Sequence, residues 1–186
     1  MPATNKRILA VDPGQSGSAV LISKECIIAA LRDFKRLEDI AAAVSTLAGQ
    51  ADEAVIELVS AMPGQGVVSM FSFGVAVGFA LGALRSNGFS EYGGDFKPLV
   101  YVHPLKWQNY FWKKLGIADR KRPAMFDSRA VAQLFFPAAA PYLTRIKDHN
   151  TADAILMGLW RLENPEAETS KREKRRRKKT LDAAAA

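Results

Sequence analysis

The sequence has little cysteine and little histidine: one Cys and two His in 186 residues. A single cysteine cannot build a disulfide framework or a zinc cluster, which excludes disulfide-rich secreted domains and small zinc modules. Cys26 lies in the apolar run "CIIAAL", where we interpret it as a small packed hydrophobic residue. The residues "MPATNKRILAV" enter the first predicted strand too soon for a cleaved secretory leader. We therefore expect the protein to stay in the reducing interior of the cell that makes it.

Excess positive charge is also missing from most of the chain. The net charge is +7, and "KREKRRRKK" at 171–179, with eight bases and one acid, accounts for all of it. A clustered basic segment attracts polyanions, most often nucleic acids, through release of counterions. We predict one folded domain over residues 1–164 and a basic, disordered C-terminal tail over 165–186.

The apolar pattern predicts an α/β fold. Three short apolar segments separated by glycine-rich or polar turns predict an antiparallel meander: 7–12, 18–23 and 26–31. A helical pattern at 36–49 leads to a strand at 53–58, which we expect to lie parallel to the first. A fifth strand is predicted at 99–103, and helices near 104–115, 127–136 and 151–163. The prediction is a five-stranded mixed sheet, made of the three-strand meander plus two parallel strands, flanked by helices.

One segment carries no charge for nineteen residues, "GVVSMFSFGVAVGFALGAL" at 66–84. This length would suit a membrane span. However, the segment lies between two predicted strands of one sheet and is diluted by two serines and four glycines, so we expect a buried helix of a soluble protein and no membrane. Gly74, Gly78 and Gly82 recur every fourth residue, and such a stripe allows another backbone to approach closely.

Two acids stand at the ends of predicted strands. Asp12 ends the first strand and Glu57 the fourth, so parallel pairing would bring both carboxylates to one edge of the sheet. Neighbouring anions resist ionisation unless they share a cation, and such oxygen ligands suit magnesium or manganese. The alternative for each acid is local: Asp12 only makes a turn with Pro13 and Gly14, and Glu57 only tops an edge strand.

A third stretch, "RIKDHNTADAILMGLW" at 145–160, adds two acids where the last helix begins. Asn150 is the predicted N-cap there, and Asp153 at the third helical position could close a capping box, which leaves Asp148 unexplained. His149 is a possible acid or base helper. Four acids at the ends of separate elements form the set that two-metal phosphodiester hydrolysis needs.

These stretches, "ILAVDPGQSGSAVLI", "VIELVSAMPGQGVVSMFSFGVAVGFALGAL" and "RIKDHNTADAILMGLW", resemble the RuvC-like Holliday-junction resolvases of the ribonuclease H-like superfamily, and most closely their phage and plant-chloroplast branch. The segments "HPLKW" and "DSRAVAQLFFP" resemble the middle section of the family. The chain departs from the family pattern at Phe126, where a lysine is expected, and at Ser60, where bacterial enzymes carry an aromatic residue. The acids of the family map onto Asp12, Glu57, Asp148 and Asp153, as catalytic residues and metal ligands.

The resemblance implies a ribonuclease H-like nuclease domain and a metal-dependent endodeoxyribonuclease. It would use two Mg²⁺ ions per active site, with Mn²⁺ as a substitute. The protein would act as a homodimer that nicks four-way junctions symmetrically in DNA recombination and repair, in the cytoplasm of a bacterium or phage-infected host. The candidate DNA-contact residues are Lys106, Arg129 and Lys147, together with Met62, Gly64 and Gln65 from the loop after the fourth strand.

Two other functions would also account for these residues. A ribonuclease H-type enzyme would cut RNA–DNA hybrids with similar acids, and the long glycine-striped helix at 68–84, which suits a dimer interface, favours the junction enzyme over it. A non-catalytic nucleic-acid-binding protein would bind through the tail and use the acids only as caps and turns. A sugar-kinase interpretation of "DPGQSG" is weaker, because the chain is too short for the two halves that such kinases need.

Overall fold

A mixed six-stranded sheet forms the centre of the fold. A computed structural model describes residues 5–14, 16–58, 66–117 and 126–167. The strands are β1 (Ile8–Asp12), β2 (Ser18–Ile22), β3 (Ile27–Arg32), β4 (Glu53–Glu57), β5 (Phe89–Ser90) and β6 (Lys97–Val102). Their order across the sheet is β3-β2-β1-β4-β6-β5.

The predicted topology is confirmed, with one strand more than expected. Strands β1, β2 and β3 form the antiparallel meander, and β4 and β6 follow in parallel pairing. The prediction of five strands is wrong because β5 is only two residues long, which is too short to show an alternating apolar pattern. It pairs in parallel with the start of β6 at the edge of the sheet.

Helices cover both faces of the sheet, since each connection between parallel strands must cross over it. Five α-helices are described: α1 (Leu37–Ala48), α2 (Val67–Ser86), α3 (Pro104–Lys114), α4 (Ser128–Phe135) and α5 (His149–Glu163). Two 3₁₀ segments, Pro137–Tyr142 and Ile146–Asp148, join α4 to α5. One apolar core lies between the sheet and α3, α4 and α5, and the other lies between the sheet and α1 and α2.

Helix α5 lies unusually close to the sheet. A Cβ atom on Gly158 would come within 2.5 Å of the Ile22 Cγ2 atom of β2 and within 3.3 Å of the Ala10 Cβ atom of β1. Any larger residue at position 158 would therefore force Ile22 of β2 or the helix to shift. The close packing brings the first turns of α5 toward the end of β1, where Asp12 stands.

Helix α2 is buried along one stripe only, which differs from the buried helix predicted from composition. Its buried residues, Ala76, Ala80, Ala83 and Leu84, contribute to the core that α2 shares with α1. The opposite face is open: Val67 is 77% and Phe71 74% exposed, and the three glycines of the stripe are exposed as well. By length and composition α2 could cross a membrane. However, it connects two strands of one sheet and packs on α1, as a crossover helix does.

Candidate active site

The parallel pairing of β1 and β4 places two acids side by side. The register pairs Val11 with Ile56, so the next residues along both strands are Asp12 and Glu57. The turn after β1 is tight, since a Cβ atom on Gly17 would overlap the carbonyl oxygens of Asp12 and Gly14. This turn leads the chain directly into β2 and leaves the Asp12 carboxylate at the carboxyl end of the sheet.

Asp153 reaches the same place from α5. The helix begins at His149, so the prediction that Asn150 is the N-cap is wrong. Asn150 instead lies within the helix, and its side-chain amide donates to the backbone oxygen of Ser16 at 2.7 Å and to its Oγ at 2.9 Å. The contact ties the start of α5 to the loop after β1 and so fixes Asp153 relative to Asp12.

These three carboxylates share one electrostatic environment. Burial and the negative charge of Asp153 together raise the pKa of Asp12 from 3.8 to about 7, against a hydrogen bond from Gly14. Burial and the charge of Asp12 raise the pKa of Glu57 from 4.5 to about 7. Burial and the charge of Glu57 likewise raise the pKa of Asp153 to about 7, against a hydrogen bond from Ser128. Each acid therefore repels another member of the set, and this repulsion together with burial disfavours ionisation of all three at once.

Two of these acids also receive a hydrogen bond from a neutral donor. The backbone N–H of Gly14 donates to Asp12 Oδ1 at 3.3 Å. The indole Nε1–H of Trp107 on α3 donates to Glu57 Oε1 at 3.0 Å. The hydroxyl of Ser128, the first residue of α4, donates to the backbone oxygen of His149 at 3.5 Å and lies near enough to Asp153 to lower the pKa of that carboxyl. Neutral donors orient a carboxylate without adding positive charge, so they do not remove the repulsion between the acids.

The chemistry of this set fits a hard divalent cation, because clustered carboxylate oxygens are the ligands that magnesium and manganese prefer. The side chains are not drawn together around one point, since no three Asp, Glu, His or Cys side chains within the described ranges could already hold a metal ion. The two predicted ions and the catalytic role of the acids therefore stay predictions.

The fourth predicted acid, Asp148, has different partners. Its side chain is 1% exposed, and it accepts hydrogen bonds from Arg145 Nε at 2.8 Å and Nη2 at 2.6 Å. Arg32 Nη1 of β3 lies 3.1 Å from the same oxygen, Oδ1. Burial alone would raise the pKa of Asp148, but the hydrogen bonds and positive charges of these two arginines lower it. Asp148 is thus paired with Arg145 and Arg32 and is not grouped with the other three acids.

The predicted DNA-contact residues differ in their exposure and in their partners. Lys147 is exposed and lies 3.0 Å from the carboxylate of Asp33. Lys106 lies on α3 with its Nζ 5.6 Å from the centre of the Trp160 ring. Arg129 is half-buried and donates to the carbonyl oxygen of Leu143, which is a structural role. The other three candidates, Met62, Gly64 and Gln65, lie outside the described residues, as does most of the predicted tail.

Sequence reasoning missed Trp107 and Ser128, which lie beside acids of the site, and Arg145, which binds Asp148. Trp107 and Ser128 lie in the two segments that resemble the middle section of the family, "HPLKW" and "DSRAVAQLFFP", which was the only signal available for them. Phe126 stands where the family pattern predicts a lysine. Its ring packs edge-on against Trp107 and Trp112, with centroid distances of 5.4 and 5.0 Å.

Two solved structures of RuvC from Thermus thermophilus resemble this fold. One is described as T. thermophilus RuvC in complex with Holliday junction substrate, and it matches with a TM-score of 0.58 and 15% identity over 83% of this chain and 92% of that chain. The other, a structure of T. thermophilus RuvC, matches with a TM-score of 0.56 and 14% identity over 86% of this chain and 95% of that chain. No protein-family model matches the sequence, and no curated protein matches it either. The predicted ribonuclease H-like fold is thereby confirmed, while the phage and chloroplast branch stays a prediction.

Proposed function

We propose that this protein is a metal-dependent endonuclease that resolves four-way DNA junctions by paired symmetric nicks. The observation that carries the proposal is the convergence of Asp12, Glu57 and Asp153, three mutually repelling carboxylates from β1, β4 and α5, at one end of a RuvC-like sheet. The RuvC-like fold supports junction DNA as the substrate, since one neighbour is RuvC bound to a Holliday junction.

The three acids supply the ligands, and Asp148 is retained as the proposed fourth. Bound Mg²⁺, or Mn²⁺ in its place, would activate the attacking water and stabilise the leaving oxygen, with two ions per site. The role of the protein is to hold the acids in place and to keep their pKa values close to 7. Because their pKa values lie near 7, the acids lose protons readily when a cation is offered, and metal binding is expected to strengthen as the pH rises through 7.

Paired nicks require two active sites, and the open face of α2 supports a homodimer. Val67, Phe71, Gly74, Gly78 and Gly82 are spaced by three or four residues and so lie along one face of the helix, opposite its buried stripe. An exposed apolar strip of this length favours burial against a partner, and the glycines allow two helices to approach closely. An isologous contact through α2 would hold two sites at a fixed separation that matches the two-fold symmetry of an open junction.

We further propose which parts of the chain bind DNA and where the enzyme acts. Residues 1–164 form the nuclease domain, and the basic tail at 165–186 adds affinity for DNA without reading its shape. Lys147 and Lys106 are the proposed phosphate contacts. We place the enzyme in the phage and chloroplast branch and in the cytoplasm of a bacterial or phage-infected cell.

The test is a substrate panel in Mg²⁺: a mobile junction, a fixed junction, a linear duplex and an RNA–DNA hybrid, each end-labelled so that every cut is mapped to the nucleotide. The proposal predicts symmetric paired cuts in the junctions, with ligatable ends, and little cutting of the duplex. Preferred cutting of the hybrid would indicate a ribonuclease H-type enzyme instead. Binding of junctions without cleavage in either Mg²⁺ or Mn²⁺ would indicate a non-catalytic binding protein.

A further inference from the structure

Trp107 is a fully buried residue of α3 whose indole Nε1–H donates to Glu57 Oε1 at 3.0 Å. A buried indole N–H needs an acceptor, and in most cores a backbone carbonyl would serve. Here the acceptor is a carboxylate of the proposed metal site. The contact links α3, through the "HPLKW" segment, to the end of β4.

The indole is a rigid donor. Its ring packs edge-on against Phe126, with centroids 5.4 Å apart and an interplanar angle of 84°. A donor fixed in this way holds one oxygen of Glu57 in a set direction and leaves the second oxygen for a cation. A lysine or arginine in this position would also bind Glu57, but its charge would repel the cation that the site is proposed to hold.

We propose that Trp107 is a positioning residue of the active site: its indole N–H orients the Glu57 carboxylate for metal binding. This inference rests on the proposed function, because it assigns Glu57 to a metal site. A neutral donor is also found at Asp12, whose Oδ1 accepts a hydrogen bond from the backbone N–H of Gly14 at 3.3 Å. Groups that orient metal ligands from outside the coordination shell typically change metal affinity or activity by 10- to 100-fold when they are removed.

Helix α3 offers a matched control. Trp112 is also buried and packs edge-on against the same Phe126 ring, at 5.0 Å. Within the described ranges it donates no hydrogen bond to an acid of the site. Each tryptophan-to-phenylalanine change removes one indole group from α3. Only Trp107→Phe also removes a hydrogen bond to Glu57.

The experiment measures metal binding without DNA. Mn²⁺ affinity is determined by calorimetry for the wild type, Trp107→Phe and Trp112→Phe, with circular dichroism to verify folding. We expect roughly 10- to 100-fold weaker Mn²⁺ binding for Trp107→Phe. We expect wild-type affinity for Trp112→Phe. Equal affinity in the wild type and a folded Trp107→Phe variant would overturn the inference.

A second readout needs no change at Trp107. The chain has three tryptophans and hence three indole N–H resonances in a nitrogen–proton correlation spectrum. Adding Mg²⁺ should shift the Trp107 resonance more than the other two, and Glu57→Gln should abolish that shift. An unmoved Trp107 resonance in a protein that binds Mg²⁺ would overturn the inference even if Trp107→Phe fails to fold.

The outcomes separate this inference from the proposed function. If the wild type cleaves junctions and Trp107→Phe binds Mn²⁺ normally, the positioning role is wrong and the proposed function stands. If Trp107→Phe weakens Mn²⁺ binding and the Trp107 resonance responds to Mg²⁺, but the wild type cuts no junction, the positioning role stands and the proposed function is wrong.

Discussion

Replacing Asp12 by asparagine should stabilise the protein when no metal is present. The unfolded chain ionises Asp12 near its ordinary pKa of 3.8, whereas the folded protein does so at about 7. The folded state therefore binds the proton more tightly, and the free energy of unfolding falls as the pH rises between these two values and is lowest above them. At 1.36 kcal/mol per pKa unit, the cost of ionised Asp12 above pH 7 is about 4 kcal/mol.

Asparagine keeps the shape of the side chain and removes its charge. The gain for Asp12→Asn is at most about 4 kcal/mol at pH 8, because part of the repulsion is shared with Asp153 and can relax, and it should shrink to less than half of that at pH 5. The assay is urea denaturation in EDTA at both pH values. Asp95→Asn, at an exposed loop position, is the control and should change little. An Asp12→Asn protein no more stable than the wild type at pH 8, or with an equal gain at pH 5, would refute the reasoning.

Three further changes test other parts of the account. Asp148→Asn should have the opposite effect and lower the free energy of unfolding at pH 7 by about 1–3 kcal/mol, because Arg145 and Arg32 lose an ionised buried partner. The loss should vanish as the pH falls through the lowered pKa of Asp148, and a variant as stable as the wild type in urea would contradict the ion-pair role. Gly78→Leu should leave the monomer folded, since a Cβ there meets nothing within 4 Å, yet weaken the dimer by about 1–3 kcal/mol in sedimentation at micromolar protein. Gly49→Leu, at another open glycine, is the control, and normal dimerisation of Gly78→Leu would place the interface elsewhere. Deleting 171–186 should lower the affinity for all DNA and flatten its salt dependence while junction preference survives, and a lost preference would make the tail a recognition element.

Much of the fold could be predicted because it follows from local patterns. Apolar runs bounded by glycine-rich or polar turns predict the meander, and a helix between two strands favours their parallel pairing. The nearness of Asp12 and Glu57 followed from that pairing alone. The exposure of α2 did not follow, because composition shows that a segment is apolar and not which of its faces the core covers.

The last helix shows why the rest of the site was harder to predict from the sequence. Whether Asp148 joins Asp153 depends on where α5 begins, and capping preferences favoured a start after Asn150. The helix begins at His149 instead, and Asp148 pairs with Arg145 and with the distant Arg32. The contact between Trp107 and Glu57 likewise joins residues fifty positions apart. Such contacts depend on the packing of α3 and β3 in the folded protein, which no local pattern encodes.

The most direct test of the central claim compares cleavage and binding of one fixed four-way junction by the wild type, Asp12→Asn and Glu57→Gln. Cleavage is followed in Mg²⁺ under single-turnover conditions, and binding is measured in Ca²⁺ by gel shift. If the carboxylates are the metal ligands of a nuclease, both variants should lose cleavage and bind the junction at least as tightly as the wild type, since a negative charge near the phosphates has been removed. Undiminished cleavage by either variant would exclude that residue from the catalytic site, and undiminished cleavage by both would contradict the account.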